Sequence, residues 1–297
     1  MRPMPFRPTH SFIISLLILV SGSHVLMGHD LFLRTKSYQA KPESPTKVIV
    51  LNGSFAESIN SLSASIVEEI LSRGAADVAS LPQSSWEETK SETSFWRRFL
   101  ESNSMNLKHT NSFEAEFPAE GTWSLGVTLH PSRIAMEPQE FLEYLKTEAY
   151  CEINLADYGI IDEDDLVRER YIKNAKTIIQ VGNSHSEHVT RPLNQNAEIV
   201  PLTNPLDAKP GDILKFKILV DGEIVEGQNV AAGRQQESDE KTDGDRVILT
   251  SNNSGIIELP ISQPAVYWLK FIHLRPAPTE DNMDFNSYWG SLTFEIN

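Results

Sequence analysis

Cysteine is nearly missing from this sequence. The 297 residues contain one, Cys151, which excludes an intramolecular disulfide, a zinc site of several thiolates and a CxxC redox pair. Positive charge is scarce too: 26 Lys and Arg stand against 41 Asp and Glu, a formal net charge of −15. Duplex nucleic acid and anionic membranes both select basic surfaces, so neither is an expected partner. Long apolar runs are absent beyond the N-terminus. So are several enzyme signatures: there is no GxSxG, no HExxH, no P-loop and no dinucleotide glycine fingerprint after a strand. What is left is an ordinary globular composition, 40% hydrophobic and 23% charged, long enough for one large or two medium domains.

The N-terminus has the parts of a secretory signal peptide. Arg2 and Arg7 precede the apolar stretch Ser11 to Val20 (SFIISLLILV), and the small residues Ser21, Gly22 and Ser23 follow. That stretch falls short of the ~20 apolar residues that span a bilayer. Cleavage after Gly22 or Ser23 suits the small-residue rule, whereas cleavage after Gly28 makes His29 the first residue. Residues 1–28 carry two arginines and no acid, so the mature chain is more acidic still. A periplasmic or secreted protein is expected, with no membrane span after signal removal.

Strand signals dominate the remainder, and the pattern predicts a mainly β protein. Lys47 to Leu51 (KVIVL) ends at the turn pair Asn52-Gly53. Trp123, Leu125, Val127 and Leu129 alternate with small or polar residues. Leu214, Phe216, Ile218 and Val220 run into Asp221-Gly222, which predicts a hairpin with Glu223 to Val230 as the return strand. Val266 to Ile272 and Leu292, Phe294 and Ile296 supply two more strands. Helices are expected near 138–148, opened by Pro138, and over 163–180. The second rests on a stripe of Val167, Tyr171, Ala175 and Ile178, with acids at its start and Lys173 and Lys176 near its end. Residues 56–110 stay open between helix and strand. A boundary near Asn194 to Pro201 divides the chain after residue 195. Residues 29–195 then form a β-rich domain with a helical excursion, and 196–297 an immunoglobulin- or transthyretin-like sandwich.

Histidine is the more informative residue class, because neutral imidazole is the commonest metal ligand. His185 and His188 form an HxxH pair in a polar segment. His109 and His130 are isolated. Cleavage after Gly28 would give His29 a free amine beside its imidazole, a bidentate nitrogen chelate with Asp30 adjacent. His273 closes the apolar run VYWLKFI, where an imidazole needs a partner. Cys151 reads as a small buried hydrophobe.

Several segments carry a resemblance when taken in order: His29-Asp30-Leu31-Phe32-Leu33, Leu51-Asn52-Gly53-Ser54-Phe55, Gly121-Thr122-Trp123, Phe141 to Leu145, Arg168 to Tyr171, and Gln180-Val181-Gly182. Further on come Glu198 to Leu202, Asn204-Pro205, Gly211-Asp212, Tyr267 to His273, Ser287-Tyr288-Trp289 and Leu292 to Glu295. Together they resemble a bacterial exported family, domain of unknown function 4198, described as periplasmic, nickel- or cobalt-uptake substrate-specific components. The family looks like β-sandwich domains with a helical excursion. Ser61 to Lys108 does not match well, His130, His185 and His188 stand where the family has no histidine, and Gly28 replaces its usual alanine.

The resemblance implies a non-catalytic protein that binds a divalent transition metal, nickel or cobalt, and delivers it to an envelope metal transporter. His29 and His273 are the candidate ligands, with Asp30 beside the first. Two alternatives come from other classes. A terminal histidine on a β-sandwich suggests a copper-brace redox protein. The polar loop Gln235 to Asp245 and the aromatic pair Tyr288-Trp289 suggest an interaction module.

Overall fold

The computed structural model describes residues 29–88, 109–161, 165–235 and 246–297. The expected signal peptide and nearly all of the polar loop from Gln235 to Asp245 lie outside these residues. Strands β1 (Asp30–Thr35), β2 (Gln39–Ala40), β3 (Thr46–Gly53), β4 (Val67–Arg73), β5 (Ala79–Ser80) and β6 (Glu87–Glu88) come first. They are followed by β7 (Asn111–Ala115), β8 (Gly121–Leu129) and β9 (Ser132–Met136). Among the described residues one short α-helix, α1 (Pro138–Tyr144), continues as a π-helical turn over Leu145–Ala149. The second half holds β10 (Val167–Val181), β11 (Ala197–Pro201), β12 (Ile213–Val220), β13 (Glu223–Ile224) and β14 (Asn229–Arg234). It ends with β15 (Val247–Thr250), β16 (Ile256–Pro260), β17 (Ala265–Pro276) and β18 (Phe285–Ile296).

These strands form three sheets in β-sandwich layers. The largest runs β15-β14-β17-β18-β10-β8-β4-β5, with β2 and β9 also paired to β10. A four-stranded sheet, β1-β3-β7-β6, packs on one face of it. Leu31, Val50 and Phe113 there meet Leu125, Ala175 and Ile179 of the large sheet. The third sheet, β11-β12-β13 with β16, covers the opposite face, where Phe216 and Ile257 meet Ile178, Phe271 and Phe294. Alternation along β10 makes the division: Ala175 and Ile179 enter one core and Ile178 the other.

The expected helix over 163–180 is instead β10, a 15-residue strand. Three members of its apolar stripe, Val167, Tyr171 and Ala175, also share one face of a strand, Ile178 falls on the other, and the flanking charges mimicked a helix dipole pattern. Burial decides it: both faces are covered from Lys173 to Val181, and a strand sandwiched in this way shows no clean alternation of apolar and polar residues. Its Asn, Thr, Lys and Gln side chains are buried with partners. Thr177 donates to the Thr293 carbonyl at 3.3 Å, and Asn174 to that of Trp289 at 3.2 Å.

The helix expected near 138–148 is present, with Pro138 in its first turn. Its apolar face, Phe141, Tyr144 and Leu145, packs on Phe285 and Trp289. The hairpin after β12 turns at Asp221-Gly222, where both residues have positive φ. Its return strand is only β13, because the chain then leaves that sheet and β14 joins the large one. In the undecided stretch, Ala64–Ile66 is a 3-10 turn and β4 follows at once. Across the expected boundary near residue 195 the large sheet is continuous. Glu169 to Thr177 of β10 pair in parallel with Phe285 to Thr293 of β18.

Candidate functional site

Strand β1 is the edge of its sheet, so the carbonyls of every second residue face away from β3 and need donors. The large sheet supplies them through side chains. Lys173 on β10 donates to the His29 carbonyl. Ser291 and Thr293 on β18 donate to those of Leu31 and Leu33 at 2.5 and 2.6 Å. The two sheets are therefore laced together by side chains on main chain, and the lacing starts at His29.

Charge fills the same corner. Lys270 of β17 donates to Asp30 Oδ2 at 2.5 Å and to Glu148 Oε2 at 2.7 Å. Burial opposes the Lys270 ammonium, but the two carboxylates outweigh it and hold its pKa above the ordinary lysine range. Lys173 differs. Burial pulls it down to about 8 against the opposing pull of Asp30 and Glu169, and its ammonium lies over the rings of Tyr171 and Trp289. Tyr150 completes the corner in a left-handed conformation, φ 54°, with Lys270 over its ring at 5.8 Å. Burial, then Lys173, lowers the His29 imidazole below its usual value, with Glu148 working the other way. The ring is thus neutral at pH 7, with a nitrogen lone pair available.

The structure does not bring the expected ligands together. Asp30 is committed to Lys270, so the cation it meets is already part of the protein. His273 lies three residues beyond Lys270 on a strand with regular register, which places it on the opposite face of the sheet. There its Nδ1 bonds Gln228 Oε1 at 2.8 Å. Among the described residues no three His, Cys, Asp or Glu side chains form a group that could hold a metal ion. The HxxH pair is divided as well: His185 bonds Asp207, and His188 bonds Arg191 at 2.9 Å. Glu148, Lys173 and Lys270 were not visible as site residues in the sequence. They lie far apart along the chain, and only the packing of β1 on β10 and β17 gathers them.

Fold and site together define a mainly β protein whose N-terminal strand is clamped by buried charge. The chain belongs to the family described as Domain of unknown function (DUF4198), whose profile matches residues 26–275. No curated protein matches it. Solved structures align along most of its length at low similarity. The D0-D1 domain of Intimin is 9% identical over 89% of this chain and 97% of that one, with a TM-score of 0.18. Salmonella alpha-2-macroglobulin reacted with methylamine is 9% identical over 89% of this chain, with a TM-score of 0.22; the match spans 15% of that protein. Dimeric latent PorU from Porphyromonas gingivalis is 11% identical over 90% of this chain, with a TM-score of 0.19, and 20% of its own length is spanned. Likeness at this level carries no functional argument. Among the described residues no helix is long and apolar enough to cross a membrane.

Proposed function

We propose that this is an exported, non-catalytic protein that binds a divalent transition-metal cation, nickel or cobalt, as cargo for an envelope transporter. The observation that carries the reading is the fixing of His29. Its carbonyl is held by Lys173, its ring is neutral, and the strand that follows is pinned by the Asp30–Lys270 pair. Removal of residues 1–28 would add an α-amine to that imidazole, giving a two-nitrogen chelate on a rigid base. Glu148 acts electrostatically on the His29 ring and keeps part of its surface exposed, but it is bonded to Lys270 at 2.7 Å, so it could give a metal an oxygen only by sharing it with that ammonium. Neither Asp30 nor His273 enters this donor set.

Such a chelate takes nickel more tightly than cobalt and copper more tightly than either, so cargo identity depends on supply as well as affinity. The test begins with N-terminal sequencing of the exported protein, followed by calorimetric titration with Ni²⁺ and Co²⁺. A chain beginning at His29 should bind at micromolar metal or below, His29→Ala should lose that binding, and His273→Ala should keep it. Absence of micromolar binding, or unchanged binding in His29→Ala, sinks the reading. Copper-dependent oxidation of ascorbate would replace it with the copper-brace alternative.

A further inference from the structure

Strand β14 pairs with β17 only from Tyr267 to Lys270. Beyond that point the edge of β17 faces a half-open pocket of about 200 Å³, bordered on its other side by the segment after α1. Its walls mix carbon with polar surface, the carbon coming from Ile153, Tyr158, Leu274 and Phe285. Most of its polar groups are already engaged. Gln228 donates through Nε2 to the carbonyls of Asn229 and Ile272 at 2.9 and 3.0 Å, and this fixes which way its amide is turned. Its Oε1 must then accept from His273 Nδ1. Nδ1 therefore carries the ring proton, and Nε2 keeps an unshared pair with no partner among the described residues. Burial, helped by Arg275, pulls the His273 pKa down to about 4, so the ring stays neutral across ordinary pH. Cys151 lines the same pocket and burial pushes its thiol up, so it is protonated at neutral pH and reacts slowly.

We propose that this pocket binds a small apolar molecule with one hydrogen-bond donor, a ring of phenol or indole size whose O–H or N–H meets His273 Nε2. Size and chemistry both favour such a ligand. A volume of about 200 Å³ has room for one aromatic ring, and a pocket with apolar wall segments beside one oriented polar group favours an apolar body with a single matching group. The acceptor's direction is set by the Gln228 clamp before any ligand arrives. The proposal does not call on metal binding at His29.

Phenol titrated into the full chain tests it, with toluene as the isosteric probe lacking the donor. Two signals report on binding: the ¹⁵N resonance of His273 Nε2 and the rate at which iodoacetamide alkylates Cys151, the sole cysteine. Phenol should move the resonance and slow alkylation, and toluene should bind about tenfold more weakly, the value of one net hydrogen bond. His273→Phe should bring phenol down to the level of toluene, and Ile153→Trp should abolish both by filling the space. If His273→Phe does not fold, the phenol-to-toluene ratio in the unaltered protein decides. No protection by millimolar phenol, equal binding of phenol and toluene, or full protection in a folded Ile153→Trp variant overturns the proposal.

Discussion

Lys176 Nζ donates to Glu198 Oε1 at 2.7 Å, and each of the two side chains is 1% exposed. Glu198 also accepts from the backbone N–H groups of Leu193 and Asn194 at 2.7 and 3.0 Å. One ion pair thus joins β10 to β11, and through Glu198 to the loop before it, across the expected boundary. Taking away one partner strands a buried charge. Lys176→Ala or Glu198→Ala should each cost about 3–5 kcal/mol in urea unfolding. The combined Lys176→Ala and Glu198→Ala variant should lose clearly less than the sum of the two single changes. Strict additivity in that cycle would mean that the pair is not coupled.

Glu169 sets a pH dependence of its own. Its Oε1 accepts from Tyr144 Oη at 3.2 Å and from the Ser287 hydroxyl, and burial pushes its pKa from 4.5 up to about 7. The folded value lies above the unfolded one, so the native state holds the extra proton between them. The resulting stability is full below pH 4.5 and is lost as pH rises toward 7. Glu169→Gln keeps an acceptor oxygen and cannot ionise. It should match the parent near pH 4 and exceed it by roughly 1–3 kcal/mol at pH 8. Parallel stability curves for the two proteins from pH 4 to 8 would refute this.

Gly290 is required for space. A Cβ on it would sit 2.5 Å from Phe271 Cε1, and Phe271 is itself 1% exposed within a packed core. Gly290→Ala should destabilise by about 1–3 kcal/mol through overpacking. Adding Phe271→Leu should recover part of the loss, a sign of coupling that a purely backbone effect would not give. Thermal melts of the two variants make the comparison.

Lys270 is the counter-ion of the N-terminal corner. Lys270→Met should leave Asp30, with 11% of its side chain exposed, without its partner and reduce stability by about 3–5 kcal/mol. Amide exchange should accelerate first in β1, whose entry that pair holds. Asp30→Asn added to Lys270→Met should restore part of the stability. Exchange that stays unchanged in β1 while it rises elsewhere would place the role of Lys270 outside this corner.

The strands that bury one face, or end at an obvious turn, were legible in the sequence. β3 stops at Asn52-Gly53, β12 at Asp221-Gly222, and β17 and β18 carry dense aromatic and branched residues. β10 was not legible, because its polar residues are buried and satisfied by partners more than a hundred positions away, such as Thr293 and Trp289. A periodicity argument sees residue types and takes a buried lysine for a solvated one. The same blindness affects the site. His29 and Asp30 stood out by position, but the Lys270 that occupies Asp30 comes from a strand 240 residues later. His273 was visible, while the alternation that turns it away from His29 followed only once β17 was laid against β18. Cys151, expected to be a small buried hydrophobe, is partly buried and borders a pocket.

The parallel pairing of β10 with β18 has a temporal consequence. During synthesis β10 emerges more than a hundred residues before the strand that will lie beside it, so one side of a long hydrogen-bonding strand waits for its neighbour. Closure over such separations is slow compared with local hairpins. A nascent chain of this design therefore passes through a prolonged unpaired interval, the condition in which a polypeptide can still be threaded, captured by a holdase or lost to edge-to-edge association. Strand β18 ends it.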